Sequence, residues 1–97
     1  MRKITQQTVN AFNQNNNFKS GATQVNRVID GMELVLHGHV IARNIDGEGL
    51  SINLCGWNTN TTRERLNGLT GVNLCTRKGI PYLNGVAINT TGWYSVK

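Results

Sequence analysis

Two basic clusters carry most of the chemistry this chain could do. Arg63-Glu64-Arg65 and Arg77-Lys78 bring four cations together if the two segments dock side by side. Clustered cations neutralise phosphates. Thr61 and Thr62 precede the first cluster, and a helix starting there would add free amides for an anion. Arg63 and Arg65 lie about 200° apart at 3.6 residues per turn, so they do not share a helix face. The plainer alternative is a capped surface helix with solvated arginines and Leu66 turned inward. Trp57 sits in the loop-like run Gly56-Trp57-Asn58-Thr59-Asn60 and is the aromatic best placed to stack on a base. For each aromatic, Trp57 as much as Phe12, Phe18, Tyr82 and the Trp93-Tyr94 pair near Lys97, packing in a lean core is the readier expectation.

His37-Gly38-His39, read as part of a strand, puts two imidazoles on one face. Zinc would need further ligands from Cys55 or Cys75. No Cys-x-x-Cys and no His-Glu-x-x-His is present, so two surface histidines are the expectation. Cys55 and Cys75 stand beside Leu54 and Leu74 and read as buried thiols. The acids are Asp30, Glu33, Asp46, Glu48 and Glu64. Asp30 and Asp46 precede glycines in turns, where Asp is favoured structurally. Asp46 with Glu48 is a weak pattern for a divalent ion. Neither a phosphate loop nor a Gly-x-Ser-x-Gly elbow appears. The expectation is a chain that is not an enzyme and carries no cofactor and no metal.

The elements that must position these groups are short. A helix is expected near residues 5–15, with Thr5 as its cap and Ile4 and Val9 as a hydrophobic staple. Val9 and Phe12 share its inner face. A strand follows over residues 23–29, then a turn at Asp30-Gly31, where both positions tolerate φ > 0. Residues 33–43 read as one long strand with a bend at Gly38. Asp46-Gly47-Glu48-Gly49 is a turn, and Leu50, Ile52 and Leu54 alternate with polar residues. A second helix is expected near residues 62–67, with Thr61 and Glu64 as a capping box and Asn67-Gly68 as its stop. Turns at Arg77-Lys78-Gly79 and Asn84-Gly85 separate three further β segments, and Pro81 marks an edge or a strand start. Residues 93–96 extend the sheet. The fold class is α+β, a small antiparallel β-sheet domain with two short helices.

The chain has 97 residues, enough for one domain over 1–97 with one modest core. Its net charge of +5 and pI near 9.8 suit an anionic partner as well as plain solubility. No apolar run approaches the ~18 residues of a membrane span, and residues 4–7 turn polar too soon for a secretory leader. No membrane partner is expected, and the thiols are expected to be reduced in a cytosol.

Several stretches are familiar as a set. They are Met1-Arg2-Lys3-Ile4-Thr5 with Ala11-Phe12, Phe18-Lys19-Ser20-Gly21, Leu36-His37-Gly38 with Val40-Ile41-Ala42, Gly56-Trp57, and Tyr82-Leu83-Asn84-Gly85. The most specific is Thr61-Thr62-Arg63-Glu64-Arg65-Leu66-Asn67-Gly68. Together they resemble a group of small proteins encoded by tailed bacteriophages, over most of the chain. The resemblance implies origin and a place of action in the host cytoplasm. It carries over no activity and no functional residues.

The function expected is therefore a phage-type, non-enzymatic binding module for nucleic acid or a nucleotide-like anion. Its contact residues would be Arg63, Arg65, Arg77, Lys78 and Trp57. The alternative is a host-directed inhibitor, for host takeover or anti-defence, acting through a protein–protein interface. Strand edges around Pro81 to Leu83 would pair with a host protein or with a second copy in a homodimer.

Overall fold

The computed structural model describes residues 2–96. Met1, which opens the resemblance, and Lys97, beside the Trp93-Tyr94 pair, lie outside the described residues.

Helix α1 runs over Lys3–Asn13 and buries Thr5, Thr8, Val9, Ala11 and Phe12 along one stripe. Thr5 is not its cap. The cap position falls on Arg2, in extended conformation and without a side-chain hydrogen bond. The helix starts early because Thr5 is needed inside, one turn in, where it meets the second helix. It stops at the asparagine run as expected. Asn15 takes φ 58°, and Asn16 N–H donates to Ala11 O at 2.9 Å. That left-handed stop suits asparagine.

Strands β1 (Phe18–Ser20), β2 (Thr23–Val28), β3 (Gly31–Leu36), β4 (His39–Ile45) and β5 (Gly49–Ile52) form an antiparallel meander. β9 (Tyr94–Ser95) closes its far edge against β5. β6 (Leu74–Arg77), β7 (Ile80–Leu83) and β8 (Val86–Ala87) make a second, three-stranded sheet. The α+β reading holds, with five strands rather than three before the second helix.

Two turns differ from expectation. The run 33–43 is two strands, because His37 (φ 51°) and Gly38 (φ 78°) form a tight two-residue turn. Left-handed backbone at both positions matches the twist of the flanking strands. His37 therefore lies in the turn and His39 opens β4, so the two are not a strand pair on one face. At the other end of β3 the turn is Ile29-Asp30, since Val28 pairs with Gly31. None of these residues has positive φ among the described residues. A bulge lies opposite Leu34 and Val35. It makes Ile41 the extra residue of β4, so Ile41 and Ala42 are both buried.

Helix α2 spans Asn60–Asn67. Its cap is Thr59, whose Oγ1 accepts from Thr62 N–H at 3.2 Å. The expected Thr61–Glu64 capping box does not form, because Glu64 turns onto Thr5 and Arg65. Gly68 ends the helix with φ −73°, so its role is not left-handed backbone. A Cβ there would lie 2.6 Å from Val9 Cγ2 and 2.9 Å from Thr5 Cγ2, both on stiff β-branched side chains. Glycine lets α1 and α2 approach. Gly68→Ala is expected to destabilise by about 1–2 kcal/mol, overpacking outweighing alanine's helix preference. A urea melt showing Gly68→Ala at or above wild-type stability would remove that explanation.

Pro81 was expected at an edge or a strand start; it stands second in β7, at the start of the strand, while β7 itself is the middle strand of its sheet. Ile88 N–H donates to Pro81 O at 2.9 Å, and proline has no N–H to return the bond. Pairing of β7 with β8 accordingly stops after two residue pairs. The outer edge of β6 is covered by Asn67, whose side chain accepts from Leu74 N–H at 2.6 Å and donates to Leu74 O at 3.0 Å. One hydrophobic cluster joins everything: Phe12 of α1, Val25, Leu34 and Ile52 of the large sheet, Leu66 of α2, and Leu74 and Leu83 of the small sheet.

Candidate functional site

The loop between β5 and α2 is built by two left-handed residues, Cys55 (φ 54°) and Gly56 (φ 81°). Cys55 N–H donates to Asn53 Oδ1 at 2.8 Å, and its thiol donates to Val40 O at 3.2 Å. The thiol is half-buried, and desolvation pushes its pKa up. Trp57 N–H then donates to Leu54 O at 2.8 Å. These bonds fix the loop and leave the Trp57 side chain 55 % exposed, outside the core where an aromatic was more readily expected.

Trp57 forms one wall of a cleft of about 520 Å³. The other walls are His37 and His39, from the β3–β4 turn, and Thr59, Thr61 and Thr62, from the start of α2. Both histidines are exposed. His37 is held by its own N–H, which donates to Ala22 O at 2.9 Å. Trp57 and the two histidines, singled out separately in the sequence, thus share one site. Neither cysteine joins the histidines in a cluster of three or more metal-ligand side chains among the described residues.

The basic residues separate. Arg63 wraps back over its own helix start, donating to Asn58 O at 3.0 Å, Asn58 Oδ1 at 2.5 Å and Asn60 Oδ1 at 2.5 Å. Asn58 Oδ1 also accepts from Thr76 Oγ1 at 3.2 Å, which ties this end of α2 to β6. Arg77 and Lys78 are exposed at the β6–β7 turn, with Arg77 5.9 Å from the Tyr82 ring centroid. Lys78 takes φ 52° and Gly79 φ 79°, so the turn forms where expected.

Arg65 is not a surface cation. It is 5 % exposed, and Nη1 donates to Thr5 Oγ1 at 2.7 Å and to Glu64 Oε1 at 2.9 Å. Nε makes a long bond of 3.5 Å to Thr23 Oγ1. Thr5 Oγ1 in turn donates to Glu64 Oε1. Arg65 is a core group that joins α1, α2 and β2, so it leaves the set of candidate contacts. Its burial follows from the helix geometry, which sends Arg63 and Arg65 to different faces. Cys75 corrects in the opposite direction: it lies on the outer face of the small sheet and is exposed.

Arg43 was missed by sequence reasoning. Its guanidinium lies 4.2 Å from the Trp93 ring centroid, and Trp93 is 37 % exposed. The contact requires β9 to return to β5, a pairing more than forty residues apart in sequence. No local signal announces it.

The family model for the Kyanoviridae Gp96 protein matches residues 1–96. The chain belongs to that family. The Kyanoviridae Gp96 match bears out the tailed-phage grouping and gives no separate weight to residues 61–68. Neither the curated proteins nor the solved structures contain a significant match to the chain. Among the described residues of this Gp96 chain, no helix is long and apolar enough to cross a membrane.

Proposed function

We propose that this phage chain is a non-enzymatic binding module for nucleic acid or a nucleotide-like anion, acting in the host cytoplasm. The observation that carries the reading is Trp57, an exposed tryptophan fixed on the wall of a ligand-sized cleft. A solvent-facing indole on a hydrogen-bonded loop is what base stacking uses. Asn58, the next residue, leads through Thr76 toward Arg77 and Lys78. Those cations, with Arg63, would neutralise phosphates while Trp57 stacks on a base. The net charge of +5 favours the approach of a polyanion.

Fluorescence anisotropy of labelled oligonucleotides at several salt concentrations tests this. Affinity is expected to fall log-linearly with salt, and Arg77→Gln/Lys78→Asn to lower the slope by about 0.7 per lost contact on a single strand. Asparagine suits the left-handed Lys78 position. Trp57→Ala should cost about 1–3 kcal/mol of binding. Absence of binding at low salt, or an unchanged double variant, counts against the reading.

A second reading is a host-directed inhibitor working through a protein interface. Ile80 and Val86 on the small sheet favour it, at 47 % and 65 % exposed. The edge it would use is β8, since β7 with Pro81 is central. A stoichiometric host protein retained after nuclease treatment would support it. A second copy pairing through β8 would instead appear as concentration-dependent sedimentation.

A further inference from the structure

We propose that the Trp57 cleft takes one unpaired nucleotide of a single strand, with its base on Trp57 and its phosphate held by His37 and His39 as imidazolium groups. This rests on the nucleic-acid reading above and names the unit the cleft holds.

Size comes first. About 520 Å³ lies within the roughly 300–1,000 Å³ of small-ligand sites, room for one nucleotide rather than a duplex. Stacking on Trp57 also needs an open base face, which a paired and stacked base does not offer.

Charge decides the rest. Among the described residues, the six that line the cleft include no Asp, Glu, Lys or Arg, so the two imidazoles set its charge. The neighbouring elements do not change this. From α2, Arg63 is turned onto Asn58 and Asn60, while Glu64 and Arg65 are turned onto Thr5. From the β5–α2 loop, the Cys55 thiol is bonded to Val40 O, and burial favours its neutral form. From the turn before β2, the Ala22 carbonyl meets the amide of His37. Among the described residues, no carboxylate lines the cleft to compete with an anion for the histidines. The tight His37-Gly38 turn fixes the backbone of the pair beforehand, which reduces the ordering cost of binding.

The pH consequence has a definite sign. Imidazole ordinarily titrates near pH 6.5, whereas a phosphodiester stays anionic throughout this region. A phosphate attracts an imidazolium and not a neutral imidazole, so the added affinity is expected at the acid end of the range and is lost toward the alkaline end.

The test is anisotropy with labelled oligothymidylate, whose base does not titrate between about pH 5.5 and 8, at constant ionic strength. Affinity is expected to fall at least about tenfold across that range, the factor that one linked pKa unit represents. His37→Asn/His39→Gln should flatten the profile to within about twofold, with asparagine chosen to keep the left-handed turn. Trp57→Ala should weaken binding at both ends of the range. The same strand annealed to its complement should not show the pH-dependent component. Thermal melts confirm that the variants fold.

A double-histidine variant that keeps the wild-type pH slope overturns the proposal, as does a duplex that behaves like the single strand. Salt-dependent binding indifferent to all three substitutions overturns the cleft assignment while the broader nucleic-acid reading stands. No binding to any oligonucleotide at low salt removes both.

Discussion

Arg65→Met is expected to lower the midpoint of thermal unfolding by roughly 15 °C, equivalent to about 3 kcal/mol for a domain of this size. Methionine keeps the length and apolar stem of the side chain but none of its donors. At Nη1 the change removes bonds to Thr5 and Glu64, and at Nε the long bond to Thr23. Breaking a buried pair costs about 3–5 kcal/mol, because the partner keeps its charge without its counterion. Glu64 is 29 % exposed and retains some water, which places the effect at the low end. Adding Glu64→Gln should recover about 1 kcal/mol or more, since an amide can still accept from Thr5 and leaves no stranded charge. Circular-dichroism melts of the two single variants and the double variant measure this coupling directly. A stable Arg65→Met protein would mean that the network orders the α1–α2 contact without stabilising it. Oligonucleotide affinity at a temperature where the variant is folded should be unchanged, because Arg65 faces the core.

Local turn chemistry was the most legible part of this fold. Lys78-Gly79, Asn84-Gly85 and the glycines after Asp46 and Glu48 each take the positive φ that their residue types allow. The first helix was visible in apolar spacing and the second in its polar start and Asn67-Gly68 stop, although neither cap residue was. Thr5 and Thr61 both had the right chemistry for a cap, and tertiary contacts chose otherwise. Thr5 is drawn into the core by residues some sixty positions away, a partnership no local pattern encodes. His37-Gly38 could be read as a bend within a strand because β-forming residues flank it on both sides. Pro81 was legible as a strand start but not as an edge: its missing N–H concerns only the β8 side, where pairing has already ended. For the candidate site, the glycine- and asparagine-rich loop marked Trp57 as the best stacking candidate, but only the structure shows it outside the core. The approach of His37 and His39 to the same cleft depends on packing of the β3–β4 turn against α2, which no local pattern specifies.

Gly31→Ala is expected to cost about 3 kcal/mol and roughly 15 °C in midpoint, more than the same added methyl group costs at Gly68 or Gly38. Gly31 does not have left-handed backbone, so the cause is steric. A Cβ there would overlap the carbonyl oxygen of Asn44 and lie 2.9 Å from its carbonyl carbon and 3.0 Å from Ile45 Cα. These are backbone atoms of β4 and cannot rotate away. Nor can β3 retreat, because Gly31 pairs with Val28 on one side and Ile45 on the other. Asp46 N–H also donates to Asp30 O at 2.7 Å beside it. Gly38→Ala is the contrasting case: its Cβ meets nothing within 4 Å, but φ is 78°. That substitution should cost only the left-handed penalty of about 1–2 kcal/mol. The two glycines lie at opposite ends of β3, and the strand connects the steric constraint to the cleft. A β3–β4 ladder displaced at Gly31 carries the His37-Gly38 turn with it, so Gly31→Ala should weaken oligonucleotide binding at low pH more than at high pH. If Gly31→Ala proves no more destabilising than Gly38→Ala, the close approach of β3 to Asn44 is not what glycine is there to permit.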